Sequence, residues 1–313
     1  MSSNFEYINC PVCSLNKTEK LYPITYFNDD ILPKIDVNHV PEVSYVYRCL
    51  NCDHKYVNPQ LSDSALDKYY TQVNTEYYGD QLDTVDKLLP QHKLVVSLIE
   101  KKIISGRILE IGCGNGFLLS LFDKERWHVI GVEPFSPAVK FAKNNLKLNV
   151  VEGYLDRQTF PSDSKFDVIL LFDVIEHLKQ AGDMIDLINY YLKPGGLLVI
   201  GTGDISSLHA KLSGRYWFYM TLREHLSFFS QNSIRYLLKE FDPVEITSVS
   251  YMGTGLQNLV TFLKSHLIRK SYNIFQSSHY WLTKFKVTRF SHVRMESAFD
   301  HMIVIAKKCQ KTL

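Results

Sequence analysis

Residues 107–133 read RILEIGCGNGFLLSLFDKERWHVIGVE. An apolar run at 107–112 ends in a turn with glycine at every second position, and a second apolar run at 128–133 ends on an acid. Glycine lets the backbone turn tightly and approach a ligand closely, and an acid at the end of the next strand accepts hydrogen bonds from ribose hydroxyls. These residues therefore predict a strand–turn–helix–strand unit that binds a nucleoside-containing cofactor.

Apolar runs and helix-like segments alternate along most of the chain. Strands are predicted at 107–112, 128–133, 149–153, 166–173, 196–202, 244–252 and 301–307. Helices are predicted at 62–78, 87–104, 116–125, 136–146, 181–192 and 230–241, the last with Ser230 as its N-cap. Fully apolar strands that alternate with helices are typical of a parallel sheet covered on both faces, so the predicted fold class is α/β.

The glycine turn reads GCGNG and follows an acid inside the strand, whereas a dinucleotide-binding turn reads GxGxxG. At these residues the sequence resembles class I methyltransferases, whose first motif is ExGxGxG. The resemblance implies that the cofactor is S-adenosylmethionine and that the turn approaches its methionine part. It also implies that the acid of the second strand holds the ribose. The cofactor contacts expected on this basis are Glu110, Gly112, Gly114, Gly116, Glu133 and Pro134.

Later segments extend the resemblance. Residues 166–178, FDVILLFDVIEHL, are similar to the family's fourth strand and the segment after it, which implies that Asp173 lies near the cofactor. Residues 192–203, LKPGGLLVIGTG, are similar to the family's turn and fifth strand. Many members place a residue near the adenine after the third strand, and Tyr154 is our candidate for that contact.

The resemblance implies a Rossmann-like, seven-stranded methyltransferase sheet. We expect a small N-terminal zinc-binding module at 1–60, a helical linker or lid at 61–104 and the methyltransferase domain at 105–313. Inside that domain, before its last strand, we expect a helical insertion at about 253–298.

Four of the six cysteines form two CxxC pairs, Cys10 with Cys13 and Cys49 with Cys52. Two such pairs can supply four thiolates to one tetrahedral ion, and four sulfurs favour zinc in a closed, structural site. The alternative is four unrelated free cysteines. His54, two positions after the last cysteine of the pairs, is interpreted as a solvated loop histidine rather than as a support for the site.

The cysteine pairs and the methyltransferase core occur together with the segment REHLSFFS at 223–230. This combination resembles bacterial sugar methyltransferases, which act on nucleotide-linked sugars or polysaccharide building blocks. The resemblance implies that Tyr78, His177, Glu224 and His225 surround the reacting atom. A histidine suits the removal of a proton from a hydroxyl, or from a carbon beside a keto group, because it titrates near neutral pH. The structural alternatives are a helix cap for His177, a carbonyl-bonded lid residue for His225 and plain packing for Tyr78.

Residues 246–295 contain no acid and have seven basic residues interleaved with aromatic ones. Three interpretations stay open for this stretch. It is a helical hairpin packed on the core, a pocket wall that binds pyrophosphate or a nucleotide, or a surface at 256–294 for anionic lipid. Basic and aromatic residues also suit single-stranded RNA.

The whole chain has 313 residues and a net charge of +2, so its overall charge does not indicate nucleic acid as a partner. It has no signal-peptide pattern and no apolar run of about 18 residues, and we expect a cytoplasmic protein. Our first hypothesis is a methyltransferase that acts at oxygen or carbon of a sugar or related small molecule. The alternatives are an RNA methyltransferase and a catalytically silent, cofactor-binding partner subunit, and the oligomeric state stays open.

Overall fold

The computed structural model describes residues 5–24, 44–66, 68, 90–221, 224–249 and 300–310. Tyr78 and the basic aromatic segment at 256–294 lie outside the described residues, as does most of the helix predicted at 62–78. Among the helices that the structure describes, none combines the length and the apolar character needed to cross a bilayer.

The N-terminal part folds into short antiparallel strands. They are β1 Phe5–Glu6, β2 Thr18–Pro23, β3 Tyr45–Cys49, β4 Lys55–Asn58 and β5 Gln60–Leu61. Strands β2, β3 and β4 are neighbours in one sheet, and β1 pairs with β5. Strand β4 begins three residues after Cys52, the last cysteine of the two pairs.

A second, larger sheet has seven strands. They are β6 Gly106–Ile111, β7 Trp127–Glu133, β8 Asn149–Glu152, β9 Phe166–Phe172, β10 Leu192–Gly203, β12 Phe241–Val249 and β13 His301–Lys308. Strand β11, Ser227–Phe228, belongs to the smaller sheet. Their order is β12-β13-β10-β9-β6-β7-β8, and β13 runs antiparallel to both of its neighbours. This arrangement confirms the predicted Rossmann-like, seven-stranded α/β sheet.

The described residues include the helices α1 Pro90–Glu100, α2 Ser136–Asn144, α3 Ala181–Tyr191, α4 Leu208–Ser213 and α5 Gln231–Leu237. The Ser230 side chain caps α5 by accepting a hydrogen bond from the Ser233 N–H, as predicted.

The prediction of a helix over 116–125 is wrong, because only a single 3-10 turn forms there, at Leu119–Leu121. Asp123 ends that turn: its side chain accepts a hydrogen bond from the Glu125 N–H, and its carbonyl accepts one from the Trp127 N–H. An aspartate bonded to its own following backbone favours a turn over a helix. The apolar residues Leu118 and Phe122 are nevertheless buried, which explains their helix-like spacing.

The large sheet is covered on both faces. Helices α1 and α2 cover one face, where Val95, Ile99 and Val139 are buried in a common apolar cluster. Helices α3 and α5 cover the other face together with the N-terminal part, whose Val12 belongs to the same cluster as Ile185 of α3. The N-terminal part therefore shares a core with the large sheet.

Strand β11 joins the two parts of the chain. It lies between α4 and α5 in the sequence, yet it pairs with β4 and extends the small sheet to the order β11-β4-β3-β2. The sequence did not indicate this strand. We call the resulting four strands the module sheet.

Candidate active site

The glycine turn after β6 depends on its glycines. Gly112, Gly114 and Gly116 have φ values of 67°, 51° and 79°, in the left-handed region that other residues rarely adopt. A Cβ on Gly112 would lie 2.5 Å from a methyl carbon of Val174, and one on Gly116 would lie 2.4 Å from a methyl carbon of Leu148. Side chains at these positions would therefore displace the turn from the end of the sheet.

Glu133 holds this turn from the neighbouring strand. Its Oε2 accepts a hydrogen bond from the Gly114 N–H at 2.9 Å, and its Oε1 accepts one from the Phe135 N–H at 2.8 Å. Pro134 lies between Glu133 and Phe135 and has no backbone N–H to donate. Burial raises the pKa of Glu133, and the two backbone hydrogen bonds oppose that rise. Each oxygen keeps a further lone pair, so the carboxylate can still accept hydrogen bonds from a bound hydroxyl.

Two buried polar atoms beside the turn have no hydrogen-bond partner among the described residues. They are Oε2 of Glu110 and Oδ1 of Asn115. Burial raises the pKa of Glu110 well above its usual range, and the nearby charge of Glu133 adds to the rise. Buried polar groups are normally paired, so unpaired acceptors beside a glycine cradle fit a ligand that carries donors. S-adenosylmethionine, with its ammonium and hydroxyl groups, meets this requirement.

The structure places the other two expected cofactor residues at the same edge of the sheet. Asp173 directly follows β9 with a positive φ of 49°, and its N–H donates to the Gly201 carbonyl at 3.0 Å. Tyr154 follows β8 and is 69% exposed, so the proposed adenine contact would have to form on a surface open to solvent.

Burial raises the pKa of Asp173 to about 7, and the neighbouring Glu176 adds to this rise. Its carboxyl is thus mostly protonated at lower pH and ionised at higher pH. A cationic cofactor nearby favours the ionised form, so we expect affinity for S-adenosylmethionine to increase between about pH 6 and pH 8. The gain over this range should be at most about tenfold, because pH 6 lies only one unit below the pKa of the free protein. Calorimetric titrations across this range measure it.

The control for this pH effect is Asp173→Asn, which cannot ionise and should bind with a nearly flat pH dependence. S-adenosylhomocysteine lacks the sulfonium charge and should show a smaller increase. Identical pH curves for the wild type and the asparagine variant would show that Asp173 does not sense the cofactor.

A buried polar cluster lies next to Asp173. Glu176 is fully buried, and its two carboxylate oxygens accept hydrogen bonds from the Thr202 hydroxyl at 3.0 Å and from the Tyr219 hydroxyl. The same two hydroxyls lie 3.1 Å apart. A carboxylate in such a network is fixed in place by donors from two separate elements.

His177 and His225 face each other in this cluster, with ring centroids 4.8 Å apart. Nδ1 of His177 lies 2.9 Å from the Glu224 carbonyl, and Nδ1 of His225 lies 2.7 Å from the Tyr219 carbonyl. A carbonyl only accepts, so each Nδ1 carries a proton. Because burial keeps the His225 ring neutral, its Nε2 carries a lone pair. Burial lowers the pKa of His225 to about 3, and the neighbouring His177 adds to this effect.

The histidines are therefore oriented by backbone carbonyls, and Glu224 contributes its carbonyl to His177. The structure thus brings His177, Glu224 and His225 together. One ligand atom from each of Glu176, His177 and His225 lies within 4.8 Å of the others, a spacing that a divalent ion could also bridge.

Sequence reasoning missed a second buried group at this edge. Asp300 accepts a hydrogen bond from the Trp217 Nε1–H at 2.8 Å, and its carboxylate lies 3.0 Å from Nδ1 of His301 and 3.3 Å from Nδ1 of His209. Burial alone would raise the pKa of Asp300, but hydrogen bonds from the two histidines lower it. Burial alone would lower the pKa of His301, but the hydrogen bond to Asp300 raises it above its ordinary value.

One signal could have identified this group. His301 begins β13 opposite Gly203, the last residue of β10. Because β13 is antiparallel, its first residues lie at the same edge as the carboxyl ends of the parallel strands. An Asp-His pair at the start of the last strand was therefore a candidate from the sequence.

Tyr219 connects the two polar groups, since its ring centroid lies 4.0 Å from that of His225 and 5.1 Å from that of His301.

We expect Tyr219→Phe to lower the free energy of unfolding by about 1–3 kcal/mol, because buried Glu176 loses a donor. Urea denaturation measures this loss. Tyr236→Phe, at a half-exposed tyrosine bonded to Asn51, is the control and should change stability far less. Equal losses in both variants would show that the buried hydroxyl has no special role.

The two cysteine pairs lie together. Sulfur–sulfur distances are 3.5 Å between Cys10 and Cys52 and 3.5 Å between Cys13 and Cys49, and all four sulfurs lie within 4.8 Å of one another. Tetrahedral zinc with bonds of about 2.3 Å needs sulfurs about 3.8 Å apart. The donor set and its spacing therefore fit a structural zinc ion.

Each cysteine pair sits in the same kind of tight turn. Ser14 and Asp53, which directly follow the second cysteine of each pair, have positive φ values of 59° and 60°. Their N–H groups donate to the carbonyls of Cys10 and Cys49 at 2.8 Å and 3.0 Å. Two matching turns that face each other present four sulfurs to one point.

The interpretation of His54 as a solvated loop histidine is wrong, because its side chain is fully buried. Its ring packs against Phe229 with centroids 4.6 Å apart, and its Nε2 lies 3.2 Å from the Ser227 hydroxyl. Burial lowers its pKa to about 3, so the ring is neutral. The sequence could not reveal this burial, because both partners come from a segment more than 170 positions away.

Comparison with known proteins identifies curated relatives that match part of the chain. The chain is 31% identical over 103 residues to the ubiquinone biosynthesis O-methyltransferase of Bradyrhizobium sp. (strain ORS 278), covering 31% of this chain and 39% of that protein. It is 28% identical over 151 residues to the enzyme of the same description from Coxiella burnetii (strain RSA 331 / Henzerling II), covering 45% and 64%. The chain thus spans about two fifths of the length of the first of these relatives.

Among solved structures, the plantazolicin methyltransferase BpumL in complex with S-adenosylhomocysteine aligns with a TM-score of 0.48 at 16% identity, over 79% of this chain and 94% of that one. A family model described as a methyltransferase domain matches residues 83–242, just over half of the chain. The matched range contains the glycine turn, Glu133, the polar cluster and both facing histidines. The chain therefore belongs to the methyltransferase domain family, and its sheet is that of the class I members.

Proposed function

We propose that the chain transfers a methyl group from S-adenosylmethionine to an oxygen or carbon of a small polar molecule, and that the acceptor contains a sugar or a related hydroxyl-bearing ring. The observation that carries this proposal is the pair of His177 and His225 in the buried polar cluster next to Asp173, in which backbone carbonyls hold both Nδ1 atoms and the Nε2 of the neutral His225 ring can accept a proton. The name of the curated relatives, ubiquinone biosynthesis O-methyltransferase, supports a small-molecule acceptor with a hydroxyl group.

The cofactor would be held by groups that the structure has at the ends of β6, β7 and β9. The glycine turn gives a close backbone approach, Glu133 accepts from the ribose hydroxyls, and Asp173 balances positive charge. When bound, the cofactor supplies a methyl group on a positively charged sulfur. The protein's task is then to align the acceptor atom and to exclude water.

His225 takes the acceptor's proton at Nε2 as the methyl group transfers, because its Nδ1 is fixed to the Tyr219 carbonyl and the low pKa that burial gives the ring keeps Nε2 unprotonated until then. His177 faces it and can orient the acceptor hydroxyl. Glu176 lies buried beside both rings, and a carboxylate there stabilises the positive charge that a histidine gains when it accepts a proton. A hydroxyl is a poor nucleophile until its proton moves, so this arrangement supplies the step that the acceptor requires.

We also propose that Cys10, Cys13, Cys49 and Cys52 bind one structural zinc ion. All four positions are occupied by sulfur, so no site on a four-coordinate ion is left for substrate. Metal analysis of the purified chain should find one zinc per molecule, and a result near zero in reducing buffer would contradict the assignment.

The methyl-transfer proposal is tested with S-adenosylmethionine labelled in its methyl group. The chain is incubated separately with nucleotide sugars, phenolic and quinol compounds, lipid extract and RNA, and label is followed into each pool. We expect label in a hydroxyl-bearing small molecule. Label in RNA alone would contradict the acceptor class, and cofactor binding without transfer to any pool would favour a catalytically silent subunit.

A further inference from the structure

We infer that the cysteine module positions the catalytic histidine His225, through the strand β11 that the methyltransferase domain adds to the module sheet. The inference rests on the proposed zinc site and on the proposed role of His225. It gives the zinc ion a task beyond holding the module together.

His54 is the link between the cysteines and β11. Its carbonyl accepts a hydrogen bond from the Cys49 N–H at 2.8 Å, and its own N–H bonds to the Cys52 sulfur. Its side-chain Nε2 lies 3.2 Å from the Ser227 hydroxyl, in β11. One buried residue therefore touches both cysteines of the second pair and the strand next to His225.

Leu226 is held from both sides. The Val57 N–H, in β4, donates to the Leu226 carbonyl at 2.9 Å, and the Gln60 side chain donates to the same carbonyl at 3.4 Å. On the other side, the Leu226 N–H donates to the Glu176 carbonyl at 2.8 Å. The residue after His225 thus bridges the module and the turn that carries the buried carboxylate.

His225 follows the position of this strand. Its backbone is continuous with Leu226 and Ser227, and its ring must keep the 2.7 Å contact to the Tyr219 carbonyl to present Nε2. Zinc fixes the turn at 49–52, and through His54 it fixes the edge of the module sheet. The cofactor turn depends instead on the hydrogen bond between Glu133 and Gly114. Loss of zinc should therefore displace the histidine and leave the cofactor site in place.

The test compares the full-length chain before zinc removal with a chelator, after it, and after zinc is restored. Zinc content, cofactor affinity and amide hydrogen exchange are measured on each sample. We expect exchange at 224–229 to rise about tenfold or more without zinc, cofactor affinity to stay within about twofold, and both changes to reverse on addition of zinc. The nitrogen-15 spectrum of the His225 ring should change from a single Nδ1–H form to a mixture of tautomers.

Two variants separate this coupling from simple loss of the metal. Ser227→Ala and His54→Gln remove the side-chain link and should keep zinc bound. Once an acceptor is identified, both variants should lower kcat by about tenfold and leave KM for the cofactor nearly unchanged. His128→Gln makes the same change at an exposed histidine of β7 and is the control for His54→Gln.

Unchanged exchange at 224–229 in the zinc-free chain would overturn the inference, and so would equal loosening of the cofactor turn at 112–116. A chain that binds no zinc would overturn the proposed metal site and this inference with it. Exchange and ring spectra need no acceptor, so a failure of the proposed methyl-transfer reaction is distinguished from a failure of the coupling.

Discussion

Replacing Glu133 with alanine is expected to weaken binding of S-adenosylmethionine about a hundredfold. Glu133 has two roles: it fixes the glycine turn through the Gly114 N–H, and it is the acceptor expected for the ribose hydroxyls. Each charge-assisted hydrogen bond lost contributes about 1.5–3 kcal/mol, so loss of one or two of them gives the expected change. Calorimetry with the cofactor and with S-adenosylhomocysteine measures the affinity.

The matched control is Glu152→Ala. Glu152 pairs with Glu133 in the register of β7 and β8, and its side chain is exposed. It should lower the affinity at most about twofold, since exposed charges contribute little. Glu133→Gln should fall between the two variants, because it keeps one acceptor oxygen and loses the charge. Equal affinity of Glu133→Ala and the wild type would remove Glu133 from the cofactor site.

Replacing His225 with glutamine is expected to lower turnover by about a hundredfold to ten-thousandfold, the usual contribution of a positioned general base. Cofactor affinity should stay within about twofold, because His225 packs in the polar cluster against Tyr219 and His177, whereas the glycine turn is held by Glu133. Steady-state kinetics with an identified acceptor, together with calorimetry for the cofactor, measure both quantities.

His177→Gln tests whether the rings of His177 and His225 have different roles in the reaction. If His225 is the base, His177→Gln should cost less in kcat and more in KM for the acceptor. His128→Gln, at the exposed histidine of β7, should leave both constants unchanged. Full turnover of His225→Gln, with a folded protein shown by an unchanged melting temperature, would assign proton removal to another residue.

The glycine turn and the acid that holds it were predictable from the sequence because their features are local. The glycines of 112–116 adopt backbone angles that glycine alone adopts easily, and Glu133 ends the next strand. Alternating apolar runs give a parallel sheet because both faces of each strand must be buried. The cysteine pairs were predictable for the same reason, since each CxxC pair sits in its own short turn.

The helix expected at 116–125 shows the limit of periodicity. Its apolar residues are buried as a helix would bury them, but the Asp123 turn ends the segment after one 3-10 turn. The spacing of apolar residues indicates which side chains are buried. The backbone conformation that buries them depends on local hydrogen bonds and on the space under the sheet.

The sequence alone determined the class of sheet, the glycine turn and the two cysteine turns, because each depends on residues within one or two elements. Tertiary structure added the groups at the acceptor side that the sequence analysis had not named. The Asp300 carboxylate, the burial of His54 and the pairing of β11 with β4 join residues that lie 83, 173 and about 170 positions apart. Contacts at such separations arise from the packing of whole elements: a local pattern can show that Asp300 and His301 lie at the start of the last strand, but it does not show which distant residues they meet.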